Sequence, residues 1–598
     1  MRSRTRSNNT EEVETDSQSA PARGRTGRAS WFDVAEDRQR RILWLVCAAA
    51  GVIGLVGWAI GGVGSSVTAL WAFVVLAVGL ALVLPFTYAL VSPLFMGIVG
   101  WLVDMLPLVI LAGWTAVVLR WAWGLWRERR LPRGGRWRLL PVTLLVWTFT
   151  GGLAIAVSGF EDLMHFVLLL GIQFVTTGIL LAVVDRINDL EEKTQVVSGL
   201  ALFVTVLSAA VLLQWLGVPV ENLQNPTASR MVESAYGLDS FPNSIGMIKY
   251  ARSVEAGAER LRQRLDPVAE RADLPDYAVF RPRLQAYENS LVVRFDGSVR
   301  EHQTALGQLD IDLIFDNLGL APANTVPRLR SFPRNALTYA GVCVALFPLM
   351  LWLAWSFEGR RRLLGRLAAA SCLFGAGFSL ARGSWIAILI GVAYLLIDGL
   401  LSRSRKIELI AWYLAAALVL FGTFMVNYGV DPVTGRAGGG SSVSTRSSLY
   451  VDTVDALLGY QVVTGYGTEQ PRLDTGTVRG GEEGGEYVPR AGTHSTFLNY
   501  LFRTGLPGML MIGAIYAFAA LAARARARKV TGRARTFYTL ATAAVVSAAA
   551  HGVILSLFVE PTYTLTVSLV LALATTGLGT MWSELNPWKA RRTSTEHE

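Results

Sequence analysis

Two kinds of side chain in this sequence could do chemistry together: guanidiniums that grip anionic oxygens, and an imidazole that takes up a proton. Arg382 stands in a short polar break, Arg382-Gly383-Ser384, within the apolar stretch 367–401. Arg446 opens a segment in which Tyr450, Val454 and Leu457 share one face at helical spacing. His494 closes a glycine-rich polar stretch and heads the next apolar run. An arginine at a helix centre in lipid costs about 2.5–3.5 kcal/mol, so a position such as 382 calls for a reason. Taken alone, Arg382 could equally snorkel to phospholipid headgroups, and His494 reads as an ordinary interfacial histidine. The three gain meaning only if the chain brings them to one place.

The elements that must do so are membrane-spanning helices. Of the 598 residues, 52% are hydrophobic, and mean hydropathy is +0.40. Apolar runs of roughly 17–25 residues, enough to cross about 30 Å of hydrocarbon, recur along the chain. The fold expected is an all-α polytopic membrane protein with about 12–14 spans. The net charge of +10 then marks the cytoplasmic side of the loops and not a nucleic-acid surface. Cys47, Cys343 and Cys372 all fall in apolar segments and read as buried free thiols.

Charge alternation orders the chain. Residues 1–41 read as a disordered cytoplasmic tail. Residues 42–218 read as the N-terminal spans, with blocks at about 67–84 and 86–103 parted only by Pro85, so that one is re-entrant or kinked. The polar stretch 219–335 reads as a small mixed α/β extracytoplasmic domain. Spans resume over 336–427. Both flanks of 367–401, EGRRRLLGR and SRSRK, are basic, so the stretch must cross twice with Arg382 at its outer tip. Residues 428–494 form an outer loop, 495–582 the last spans, and 583–598 a cytoplasmic tail. The protein is thus expected in the cell (plasma) membrane, multi-pass, with both termini cytoplasmic. Arg382, Arg446 and His494 all land on the outer side.

The order of these pieces resembles the O-antigen ligase and O-antigen polymerase family of membrane glycosyltransferases. The likeness lies in ARGSW (381–385), then TRSSLYVDTVDALLGYQVVTGYGTEQ with its Gly465-Tyr466-Gly467 turn, then HSTFLNYLFRTGLPG ending in Gly505 to Gly508. It covers about residues 370–520. The chain differs from the usual pattern at Ala381, Ser495 and Arg503. The resemblance implies a GT-C-like fold and an inverting, metal-independent transfer. The donor would be a glycan on polyprenyl diphosphate and the acceptor a glycan or lipid hydroxyl. Arg382 and Arg446 would neutralise the leaving diphosphate, and His494 would take or orient the acceptor proton. Tyr450, Gly465 and Gly467, with Arg472, Arg479 and Arg490 as outer anion contacts, are the candidate substrate-binding positions. No cofactor, metal or nucleic acid is expected.

Other constellations carry less. Asp310 and Asp312 have the spacing of a metal-binding Asp-x-Asp pair but read more simply as solvated positions of an alternating strand. Glu161, Asp162 and His165 read as an outer turn. His551 falls within a span, facing a cavity or bonding a neighbouring helix. His302 and His597 read as exposed. A transporter of lipid-linked glycans would show repeats and several charges within its spans; a non-catalytic assembly protein would not need the Arg–Arg–His set.

Overall fold

The structure, a computed structural model, describes residues 36–60, 63–103, 105–132, 139–156, 160–216, 331–332, 336–379, 381–428, 461–465, 495–555 and 560–576. These residues form helices and no strand. Among the described residues, eight helices are long and apolar enough to cross a membrane, and four apolar stretches are shorter, at 86–101, 139–150, 382–397 and 561–575. The stretch 219–335 expected to be a mixed domain lies outside the described residues, apart from Ser331 and Phe332.

In chain order the helices are α1 (Glu36–Ile60), α2 (Val63–Val83), α3 (Phe86–Ala89), α4 (Ser92–Trp101), α5 (Leu106–Glu128), α6 (Leu139–Ala156), α7 (Phe160–Arg186) and α8 (Leu190–Trp215). After the gap come α9 (Ala336–Ser356), α10 (Gly359–Phe378), α11 (Arg382–Ile397), α12 (Arg403–Tyr428), α13 (Gln461–Thr464), α14 (Thr496–Lys529), α15 (Gly532–Ile554) and α16 (Pro561–Thr575). The apolar block expected at 86–103 is two short helices. Pro85 stands at the start of α3, and Pro93 in the first turn of α4 prevents one continuous helix.

The bundle is built around α9, which is apolar on every side and buried almost throughout, with Trp352, Tyr339 and Phe347 among its largest enclosed side chains. Around it lie α8, α10, α11, α15 and α16. Small residues bring these backbones together where lipid gives no hydrophobic reward for association. Gly365 lies against Leu353 and Ala354, and Gly375 against Tyr339 and Cys343, so α10 runs antiparallel to α9. Gly383 lies against Ile554, and Gly391 against Ser547, so α11 runs antiparallel to α15. By contrast α1 and α12 carry exposed leucines and isoleucines such as Leu45, Ile60, Leu414 and Leu418, the surface a lipid chain would cover. The three cysteines are free and buried.

These contacts give the bundle two unlike ends. One gathers the start of α8, the start of α10 and the α11–α12 turn with the end of α14 and the start of α15. It is basic and fastened by polar contacts. The side chain of Asp185 is fully buried; it accepts from Arg130 Nη1 at 2.6 Å, Arg130 Nη2 at 3.0 Å and Trp121 Nε1 at 3.0 Å. The carboxylate drives the Arg130 guanidinium further toward its charged form. Arg524 Nη2 reaches Asp398 Oδ1 at 2.8 Å, Arg361 Nη2 reaches Glu191 Oε1 at 2.7 Å, and Arg405 Nη2 donates to the carbonyl of Trp355 at 2.8 Å. The opposite end holds the starts of α9, α11, α14 and α16 and the end of α15.

Candidate functional site

The apolar stretch 367–401 folds as α10 and α11, running in opposite directions and broken at 379–381. Arg382 is the first residue of α11 and is exposed, whereas Gly383 and Ser384 behind it are buried. It therefore stands at the end of the bundle opposite the basic loops.

The end of α15 organises this region. A Cβ at Gly383 would lie 2.6 Å from Ile554 Cγ2, so the chain beside Arg382 rests directly on residue 554. Ser495 and Thr496, which start α14, rest on the same turn. Ser495 Oγ donates to the carbonyl of Gly552 at 3.4 Å, and Thr496 Oγ1 to that of Leu555 at 3.1 Å. Ser495 also caps its own helix by accepting from the Leu498 amide at 3.4 Å. Two pieces of chain more than a hundred residues apart thus meet at one helix terminus. One carries Arg382. The other begins one residue after His494, about 3.8 Å of backbone away.

A buried hydrogen-bond chain ties the same turn inward. Ser384 Oγ and His551 Nε2 are 3.1 Å apart, and His551 Nδ1 and Tyr563 Oη 3.2 Å. Both Ser384 and His551 are fully enclosed. Tyr563 belongs to α16, whose first turn brings a further carboxylate, the buried Glu560, to this end. The sequence signalled His551 only weakly, as a histidine within a span.

The second fixed point is a glycine pair. α14 is kinked at Gly505 (φ 69°, ψ −176°), and Pro507 removes the amide that would bond the Arg503 carbonyl. Gly465 (φ 70°) lies against this break, where a Cβ would be 2.4 Å from the carbonyl carbon of Arg503. A Cβ at Gly505 would in turn lie 2.2 Å from the carbonyl oxygen of Val463. Neither position admits a side chain, so α13 can sit flush on α14. The indole Nε1 of Trp147 donates to the Thr504 carbonyl at 2.8 Å beside the kink, and Arg503 Nε donates to Asn499 Oδ1 at 2.8 Å.

Between α6, α7, α14 and α16 lies a small cavity of about 30 Å³, lined partly by Thr176, Tyr516 and Tyr563. At its wall Tyr500 Oη donates to Gln173 Oε1 at 2.9 Å. It has room for about one water and none for a sugar ring. Among the described residues there is no group of three or more His, Cys, Asp or Glu able to hold a metal ion.

Of the residues expected to act, Arg382 and Gly465 are described, and they lie at two anchor points of α14 and α15. Arg446, Tyr450, Gly467, Arg472, Arg479, Arg490 and His494 lie outside the described residues, as do Asp310, Asp312, His302 and His597 and the side chains of Glu161, Asp162 and His165.

Residues 367–513 match the O-antigen ligase family model. Over that stretch, hereafter the ligase domain, the chain is similar to O-antigen ligases. That supports assignment to the O-antigen ligase/polymerase family. The ligase domain runs from within α10 into α14, so it includes the α11 start, the Gly465 turn, His494 and the Gly505 kink. With the apolar helices, the match supports a multi-pass membrane protein with a role in polysaccharide biosynthesis; it suggests a glycosyltransferase-like enzyme and implies lipid-linked glycan substrates. No curated protein matches the chain.

Proposed function

We propose that this protein moves a glycan from polyprenyl diphosphate to an acceptor hydroxyl on the outer face of the plasma membrane, with inversion and without a metal. The observation that carries this reading is the convergence, within the ligase domain, of Arg382 and the segment following His494 on the end of α15. The basic end of the bundle is the cytoplasmic side by the excess of arginine there, which puts the Arg382 end outside and both termini inside.

The chemistry follows from the residue types. The acceptor oxygen attacks C1 of the donor sugar, the C1–O bond to phosphate breaks, and polyprenyl diphosphate departs with the electron pair. Charge on that leaving group is what must be stabilised. Arg382 and Arg446 do so through paired N–H donors, and the N-terminus of α11 adds the positive end of a sixteen-residue helix. His494 accepts the proton that the acceptor hydroxyl loses. Tyr450 and Gly467, with Arg472, Arg479 and Arg490, line the approach of the glycan, while Gly465 fixes the end of α13 to α14.

Purified protein incubated with a polyprenyl-diphosphate oligosaccharide and an acceptor tests this. Arg382→Ala, Arg446→Ala and His494→Ala are each expected to abolish transfer while the protein still accumulates, and EDTA is expected to leave wild-type turnover unchanged. Wild-type product levels from His494→Ala and Arg446→Ala would end the catalytic assignment. In a deletion strain, single repeat units identify a polymerase, and unattached polymer identifies a ligase.

A further inference from the structure

The start of α11 is held in an unusual way. Its N-cap is Ala381, which has no side-chain oxygen to offer the first-turn amides, and no side-chain cap is made. Ala381's own amide is taken by Ser379 Oγ at 3.3 Å, and Ser384's amide by the Ala381 carbonyl at 2.9 Å. Beside the packing of Gly383 on Ile554, Ser384, the third residue of the helix, ties the turn laterally by a polar contact with His551. On its other side His551 meets Tyr563, and the two rings lie 5.3 Å apart. A neutral imidazole donates from one nitrogen and accepts at the other, so it satisfies both hydroxyls at once. Gly341 of α9 makes room for the imidazole, since a Cβ there would come within 2.8 Å of His551 Cε1. His551 therefore joins four helices: α9 that accommodates it, α11 that bears Arg382, α16, and its own α15, whose last turn seats Ser495 and Thr496.

We propose that His551 is a positioning residue for the anion grip at Arg382, holding the uncapped first turn of α11 against the helix end on which the segment after His494 is seated. It touches no substrate. It sets the distance between two parts of the site that the chain itself does not connect, and in a site of this kind a displacement of about 1 Å costs on the order of a hundredfold in rate. This rests on the reading of Arg382 as an anion-binding residue.

The test is a double-mutant cycle read by binding. Polyprenyl diphosphate is titrated onto the purified full-length protein in nanodiscs of neutral lipid, for wild type, Ser384→Ala, His551→Leu, Arg382→Ala and the combinations with Arg382→Ala. Ser384→Ala removes only one hydroxyl, so it keeps the test open should His551→Leu fail to fold. Ser384→Ala and His551→Leu are each expected to weaken binding about tenfold, and to add nothing once Arg382 is Ala, because both act through it. Binding by Ser384→Ala or by folded His551→Leu equal to wild type, or losses that add in full to that of Arg382→Ala, would overturn the proposal. Equal binding by wild type and Arg382→Ala would instead strike the anion-binding role of Arg382, and the positioning role would fall with it.

Discussion

Gly505→Ala is the perturbation whose consequence follows most directly from the geometry. Its φ of 69° with ψ of −176° lies in a region that essentially only glycine occupies, and forcing another residue there costs about 1–3 kcal/mol. The added methyl would also lie 2.2 Å from the Val463 carbonyl oxygen, 2.4 Å from the Val463 carbonyl carbon and 2.8 Å from the Val462 carbonyl oxygen. These are backbone atoms, so no rotamer change relieves the overlap. Either α14 straightens or α13 lifts by roughly an ångström to reach ordinary contact distance. Both responses move Gly465 and its seat on α14 within the ligase domain. Expected are a stability loss of about 2–4 kcal/mol, seen as a lower unfolding temperature in detergent, and a fall in glycan transfer of about a hundredfold. Gly513→Ala is the control. It sits in the same helix with open space around its would-be Cβ, and should be neutral or stabilising by up to about 1 kcal/mol, the helix preference for alanine. Wild-type turnover and unfolding temperature in Gly505→Ala would refute the argument that the α13–α14 contact needs a bare backbone.

Other substitutions test separate contacts. Trp147→Phe keeps the ring but leaves the Thr504 carbonyl beside the kink without its indole donor; about 1–3 kcal/mol should be lost, read by thermal unfolding. Asp185→Asn removes the buried carboxylate that Arg130 bonds and leaves it only the exposed Glu128 carboxylate. Because Arg130 is partly exposed, the cost should fall near the low end of that for breaking a buried pair, about 3 kcal/mol. Unfolding temperature should drop, yet transfer per folded molecule should persist because this tie is at the far end from Arg382. Arg382→Lys keeps the charge but loses the paired donors, so transfer should stay well below wild type in the polyprenyl-diphosphate assay; full activity would show that charge alone suffices.

The sequence and the structure divide the molecule along a physical line. Apolar runs and basic loops are local properties, and they suffice to announce a multi-pass helical bundle, the polar interruption at Arg382 and the glycines at 465 and 505. The hydropathy pattern anticipated a kink or re-entrant element near Pro85, but not that 86–103 would be two short helices, since its uniform apolarity hides where the backbone breaks. The candidate site was legible as residue types: an arginine where lipid disfavours one, and a family-like order of Arg, Gly-x-Gly, His and Gly-x-x-Gly. What the sequence could not carry was contact. A helix apolar on every side has no marked face, so nothing in α9, α11 or α15 says which neighbour each will meet. Those choices rest on a few buried pairings between distant residues: Ser384 with His551, Tyr500 with Gln173, Trp147 with the Thr504 carbonyl. Each is a polar atom that must find a partner where water is absent. Only the folded bundle decides which partner that is, and in doing so it brings Arg382 to the helix end that also receives the chain leaving His494.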